Sequence, residues 1–156
     1  MSKRLIVNGS ILAALFAFLV AAAPLSIAEE EGDKLKDVKC PVSGKAVVAD
    51  KTVEYKEGMV YFCCPGCPGA FGKDTEKFAH KANHQLVQTG QYEGTKCPLS
   101  GRALNKDKVV EVAGVEVAFC CPNCQGKVAD AEGEEQIKLA FNDKAFEKGF
   151  APVKKD

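Results

Sequence analysis

Two stretches of the chain alternate apolar and polar residues and then reverse direction. In the clearer one, Val110-Glu111-Val112 and Val115-Glu116-Val117-Ala118-Phe119 flank Ala113-Gly114. Two alternating runs across a two-residue turn containing glycine predict a β-hairpin. Upstream, Thr52-Val53-Glu54-Tyr55 and Met59-Val60-Tyr61-Phe62 flank a turn at Lys56-Glu57-Gly58, and 46–49 predicts a further short strand. Helical signals follow each hairpin. Pro65 and Pro122 suit a first helical turn, where their missing N–H would be unpaired in any case. Asp74-Thr75-Glu76-Lys77 predicts the start of a longer helix with Phe78, Ala82, Leu86 and Val87 along one apolar stripe. Ile137, Leu139, Ala140 and Phe141, then Ala145 and Phe146, predict one or two closing helices. The fold class expected is α+β.

The two hairpins belong to a duplication. Phe62-Cys63-Cys64-Pro65-Gly66-Cys67 returns 57 residues later as Phe119-Cys120-Cys121-Pro122-Asn123-Cys124. Each is preceded at the same distance by a turn, Cys40-Pro41-Val42-Ser43-Gly44 or Cys97-Pro98-Leu99-Ser100-Gly101. Aligned without a gap, 39–71 and 96–128 share 17 of 33 residues. The organisation expected is a charged lead-in over 29–38, a first module over 39–90, a linker over 91–95, a second module over 96–150 and a tail over 151–156. The stretch joining the modules has two glycines, Gly90 and Gly94, and no apolar run. Each module is therefore expected to fold and bind on its own, a fragment of residues 29–92 included.

Residues 1–28 read as a secretory signal peptide. Lys3 and Arg4 form a short basic region, an apolar run covers 11–23, and Ser26-Ile27-Ala28 supplies small residues before a cut at Glu29. Export to the periplasm or the medium is expected, with no stable membrane insertion after cleavage. Without those residues the chain carries 19 basic against 21 acidic residues, a net charge of −2, so nothing favours nucleic acid as a partner. Modules of this size bury little apolar surface and usually need a disulfide or metal staple.

All eight cysteines fall in the duplicated motifs: Cys40, Cys63, Cys64 and Cys67, then Cys97, Cys120, Cys121 and Cys124. In each copy a cysteine on a turn is followed, after 22 residues, by a pair and then a fourth at the start of a helix. Pro and Gly shape such a turn so that backbone N–H groups curl round the sulfur. A helix N-terminus lowers thiol pKa and favours metal-bound thiolate. Lys39, Lys45, Lys96 and Arg102 flank the turns and offset part of the negative charge of a metal–thiolate centre. One ion per module is expected, zinc by default and copper(I) as its competitor, since soft thiolates select both. Two other chemistries stay open. Eight cysteines in a small exported chain also suit a disulfide framework. Cys64-Pro65-Gly66-Cys67 and Cys121-Pro122-Asn123-Cys124 have the spacing of thiol–disulfide oxidoreductases, but neither sits in a βαβ unit.

The run Val60-Tyr61-Phe62-Cys63-Cys64-Pro65-Gly66-Cys67, with Phe71 after it, resembles the core motif of the TRASH and YHS domains. These are small treble-clef modules with a cysteine, about 20 residues, a second cysteine, three residues and a third. The matching positions are Cys40, Cys63 and Cys67, and Cys97, Cys120 and Cys124. The resemblance covers 39–90 and 96–130. It implies two tandem treble-clef-like modules that bind heavy metals in carrier, scavenging or sensing roles, often as an accessory to a transporter or other larger protein. Two departures stand out: Ser43 and Ser100 occupy places where many knuckles carry a second cysteine, and Cys64 and Cys121 are additions.

His80 and His84 stand four apart on the longer predicted helix, a spacing able to chelate a metal. Their counterparts in the second copy are Ile137 and Phe141, so a structural role is the expectation for both histidines. Ser43 and Ser100 are expected to hydrogen-bond within their turns, the aromatic run from Tyr55 to Phe78 to form the first module's core, and the acidic stretch 130–135 to be solvated. No Ser-His-Asp set, phosphate-cradling glycine loop or carboxylate pair is evident, so the expected function is a non-enzymatic binder of thiophilic metal. The alternatives are an interaction module stapled by zinc or disulfides, and a thiol–disulfide oxidoreductase.

Overall fold

The computed structural model describes residues 34–154, so the signal peptide read at 1–28 lies outside the described residues. The first hairpin pairs β1 (Val48–Tyr55) with β2 (Gly58–Phe62), and helices α1 (Gly66–Lys73) and α2 (Thr75–Gln88) follow. After β3 (Tyr92–Gly94) the order repeats: β4 (Asn105–Val112) and β5 (Val115–Phe119), then α3 (Pro122–Ala129), α4 (Gly133–Phe141), α5 (Asp143–Gly149) and β6 (Phe150–Pro152). The chain is thus a mixed α and β structure whose sheets are antiparallel pairs: β1 with β2, β4 with β5, and β3 with β6. No helix among the described residues is long and apolar enough to cross a membrane.

The duplication extends to register. In the first hairpin Val53 faces Val60 and the pairing slips between Val48 and Thr52. In the second Val110 faces Val117 and the slip falls between Asn105 and Val109, at the equivalent positions. The strand expected at 46–49 and that at 52–55 are therefore one strand with a bulge, which increases the local twist. The two-residue turns require left-handed backbone: Ala113 and Gly114 have φ of 48° and 84°, and Lys56 has φ of 55°. A residue with a Cβ is strained there by about 1–2 kcal/mol. Ala113→Gly is expected to raise stability by up to about 1 kcal/mol, part of the relief being offset by the freer unfolded chain. A denaturant midpoint that rises with unchanged slope checks this.

Helix α2 is the hub of the molecule. Its N-cap Asp74 accepts a hydrogen bond from the Lys77 amide, as the sequence predicts. Its buried side is wider than the apolar stripe, however, and includes His80, Asn83, His84 and Gln85 beside Ala79, Ala82 and Leu86. Asn83, His84 and Gln85 each tie α2 to a neighbouring segment, whereas His80 Nε2 makes no hydrogen bond among the described residues. The Gln85 amide accepts from Tyr61 N at 2.6 Å and donates to the carbonyls of Tyr61 at 3.0 Å and Lys39 at 3.1 Å. Just past the helix, Gln91 accepts from Met59 N at 2.6 Å and donates to Met59 O at 2.8 Å. The two glutamines satisfy the outer edge of β2 as a third strand would.

The remaining ties cross to the other repeat. Asn83 donates to the Phe141 carbonyl at 2.9 Å and to the Asp143 carboxylate at 3.0 Å. His84 Nε2–H donates to Val112 O at 3.0 Å, and its ring meets Phe141 edge-on at 5.0 Å. From the opposite side, Asp143 accepts from the Tyr55 hydroxyl and pairs with Lys56, both at 3.3 Å. Each repeat's helical part thus reaches the hairpin turn of the other. Positions 84 and 141, equivalent in the alignment, touch each other, and β3 and β6, which follow the helices of their repeats, pair antiparallel. This is the self-complementary pattern of two copies facing each other across an approximate two-fold.

The repeats accordingly share one core. A single buried cluster runs from Val60, Phe62 and Phe71 through Ala82 and Leu86 to Phe119, Val128, Phe141 and Phe146. Tyr92 packs on Phe146 at 4.8 Å, and Phe141 and Phe146 stack on Phe150 at 5.2 and 5.4 Å. The expectation of separately folded modules joined by a loose linker therefore gives way. Tyr92 to Gly94, inside the stretch read as linker, is a strand, and its partner β6 runs into the stretch read as tail. The first module's expected aromatic core is only partly its own: Phe62 and Phe71 are buried, while Tyr55, Tyr61 and Phe78 are partly exposed.

Candidate metal centres

Each turn-borne cysteine sits in a knuckle closed by backbone hydrogen bonds. Cys40 N donates to Lys45 O and Gly44 N to Cys40 O, both at 2.8 Å. In the second copy, Cys97 N donates to Arg102 O at 2.9 Å and Gly101 N to Cys97 O at 2.7 Å. Gly44 and Gly101 close the knuckles with φ of 73° and 72°, where a glycine avoids the Cβ penalty. The second knuckle is also braced by the C-terminal helix. Thr95 N and Lys96 N both donate to Gly149 O, at 2.8 and 3.1 Å. A Cβ on Gly149 would lie 2.8 Å from Pro98 Cα, so only glycine permits this approach.

The hairpins deliver the other sulfurs to meet these knuckles. Pro65 is the N-cap of α1, and Pro122 is the first residue of α3, so the cysteine pairs fall at helix starts as expected. Cys40, Cys63 and Cys67 place their sulfurs within 4.8 Å of one another, and so do Cys97, Cys120 and Cys124. Cys63 and Cys67 are 3.7 Å apart at sulfur, and Cys120 and Cys124 3.8 Å. Four sulfurs about 2.3 Å from one ion would be separated by roughly 3.8 Å, so these spacings suit a common metal. Each set of three can hold one metal ion. All eight cysteines are free thiols, none joined to another.

The added cysteines stand beside these sets. Cys64 is exposed, and its sulfur lies 3.3 Å from that of Cys67 without joining the mutually close three. Cys121 likewise lies 3.6 Å from Cys120, outside its set. The serines take a part that the spacing did not reveal. Ser43 Oγ accepts from Lys45 N at 3.3 Å, the expected bond within the turn, and also sits 3.0 Å from Cys63 Sγ. Ser100 repeats this with Arg102 N at 3.3 Å and Cys120 Sγ at 3.1 Å. A hydroxyl that donates to a thiolate stabilises its charge.

Protonation is distributed unevenly within each set. Burial raises the pKa of Cys40, but hydrogen bonds from the Ser43 side chain and from nearby backbone amides outweigh it, and the thiol is lowered to about 7. The same contest at Cys97, with Ser100, ends at about 6. Burial and neighbouring thiols push Cys67 and Cys124 up to about 12. Ligation needs thiolates, so loading must expel the proton of Cys67 or Cys124 at any pH below about 12. Apparent affinity is expected to rise at least tenfold per pH unit above pH 7. It should fall more steeply in acid, once Cys40 and then Cys97 are protonated as well. Release of at least one proton per ion into a weak buffer at pH 8 checks the sign.

The chain matches no family model, no curated protein and no solved structure. Within the molecule, the histidines lie apart from the sulfur sets. His84 is engaged with Val112 and Phe141, and His80 lies 3.4 Å from Glu134, which Lys81 and Lys138 also contact at 2.9 Å. Burial holds both imidazoles below the usual range, hence neutral at pH 7. A cleft of about 830 Å³ beside the first knuckle is lined by Lys36, Lys39, Cys40 and Lys81 and by the Ala113-Gly114 turn. Cys40 is its one contact with the sulfur sets.

Proposed function

We propose that this chain is an exported, non-enzymatic binder of thiophilic metal, carrying one zinc or copper(I) ion in each repeat as a carrier or scavenger. The observation that carries this reading is the repeated convergence of three sulfurs, one from a knuckle and two from a hairpin–helix junction. The likeness of these positions to the TRASH and YHS motif supports a treble-clef-like reading of each repeat and a role beside a larger metal-handling protein. A membrane transporter or another exported protein is the partner class proposed, and nucleic acid is not. The leader at 1–28 supports a periplasmic or secreted location.

Metal analysis of the full chain, loaded with zinc or copper(I) under reducing conditions and desalted, tests the proposal. Two equivalents are expected for the unaltered chain, one for Cys40→Ser or Cys97→Ser, and none for the double substitution. Binding that survives in the double variant would overturn the assignment of these sulfurs. A second reading, thiol–disulfide exchange, has one observation in its favour, the 3.3 Å separation of Cys64 and Cys67 at the start of α1. Turnover of a disulfide substrate, lost in Cys64→Ser, would favour it over the metal reading.

A further inference from the structure

Both repeats keep a cysteine that their three-sulfur sets do not include. Its placement differs in detail: Cys64 is exposed and close to Cys67, whereas Cys121 is half-buried and close to Cys120. In the first, Cys40 is 1% exposed and Cys67 7%, whereas Cys64 is exposed. The Cys64 sulfur lies 3.3 Å from Cys67 yet outside the group of mutually close sulfurs, so it is remote from at least one of Cys40 and Cys63. In the second, Cys97 is fully buried, and Cys121 stands 3.6 Å from Cys120 but remote from at least one other member of the set. Cys121 is the extended N-cap of α3, and Cys64 immediately precedes the N-cap of α1, so each stands where its hairpin hands over to a helix. Each sulfur is thus in contact with its set and still outside the group of sulfurs that lie within 4.8 Å of one another.

We propose that Cys64 and Cys121 are transfer thiols, through which each site passes its ion to a thiol-bearing acceptor and receives it back. This rests on the metal-binding reading above. In the step, a bond from the ion to Cys64 Sγ forms and the bond to the ligand sulfur most remote from Cys64 breaks. The proton that Cys64 gives up passes to the released thiolate. Acceptor thiolates then bond the ion on its exposed side one after another, each displacing one of the three protein sulfurs that hold it, Cys64 last. The acceptor's protons are left on the protein thiols. Nothing is oxidised or reduced, and the thiols of the acceptor replace those of the protein one for one. The arrangement favours an acceptor with two or more thiols, because the ion then keeps sulfur coordination throughout.

The test compares the full chain with Cys64→Ser, Cys121→Ser and the double variant, each loaded with zinc. Loaded protein is mixed with excess dithiothreitol, small molecules are removed at timed intervals, and the zinc left on the protein is measured. The double variant is expected to hold two equivalents before mixing and to lose them at least tenfold more slowly than the unaltered chain. Each single variant should slow only half of the zinc. Alanine replacements, with helical content checked by circular dichroism, are expected to behave as the serines do. An unchanged rate in the double variant would overturn the proposal. So would a loss of one equivalent on each substitution, which would make these thiols resident ligands. An unaltered chain that takes up no zinc or other thiophilic metal would instead sink the binding reading itself.

Discussion

A polypeptide of residues 29–92, holding the first repeat alone, is expected not to form a folded monomer even with metal and reductant present. In the full chain, α2 makes its Asn83 and His84 hydrogen bonds with the second repeat, and Tyr92 rests on Phe146. Cutting after residue 92 removes Phe141, Phe146 and Phe150 from the shared core, together with β6 and all of β3 but Tyr92. Burying one large apolar side chain contributes about 1.5–3 kcal/mol. A domain's whole margin is about 5–15 kcal/mol, so several such losses exhaust it. The orphaned Asn83 and His84 add about 1–3 kcal/mol each wherever they stay buried without a partner. Weak helical circular dichroism and no cooperative thermal transition are the expected results. A monomer that unfolds cooperatively and holds one equivalent of metal would show that the shared core contributes little.

What the sequence made legible was what is local. The Ala113-Gly114 turn, the proline-started helices and the Asp74 cap each rest on neighbours within a few residues, and each forms where the pattern places it. The repeat was legible too, because matching residues report a matching backbone even where the bulge itself carries no signal. The joining of the repeats was not. Asn83, His84 and Gln85 lie outside the apolar stripe read for this helix, and nothing in their spacing says that distant backbone groups await them. Strands β3 and β6 are three residues each, too short to alternate, and they pair across 58 residues of sequence. At the sites, spacing gave the eight sulfurs but not which of two adjacent cysteines turns inward. The backbone leaving β2 and entering α1 decides that, directing Cys63 to the set and Cys64 outward. The serine beside Cys63 was legible only as a turn residue. Its contact with sulfur is made across the hairpin, 20 residues away.

Removing both ions with a chelator at neutral pH is expected to lower stability without unfolding the chain. The sulfurs lie on the knuckles and at the hairpin–helix junctions, whereas α2, α4 and α5 carry none of them. These helices meet in a core common to both repeats, which lets the fold stand on more apolar surface than either repeat offers alone. Burial keeps Cys67 and Cys124 as neutral thiols in the metal-free protein, and a neutral thiol packs as a small apolar group. What is lost is therefore the binding linkage, about 2.7 kcal/mol per site when free ion stands at a hundredfold its Kd. For two sites the thermal midpoint should fall by roughly 10–20 °C, with helical circular dichroism at 20 °C nearly unchanged. Collapse of that signal on chelation, restored by zinc, would mean that metal binding folds the repeats outright, as in small zinc modules. The two outcomes separate the roles proposed for the sulfurs. A carrier has to remain folded while its ion is elsewhere, and a fold that fails without metal would make the centres structural.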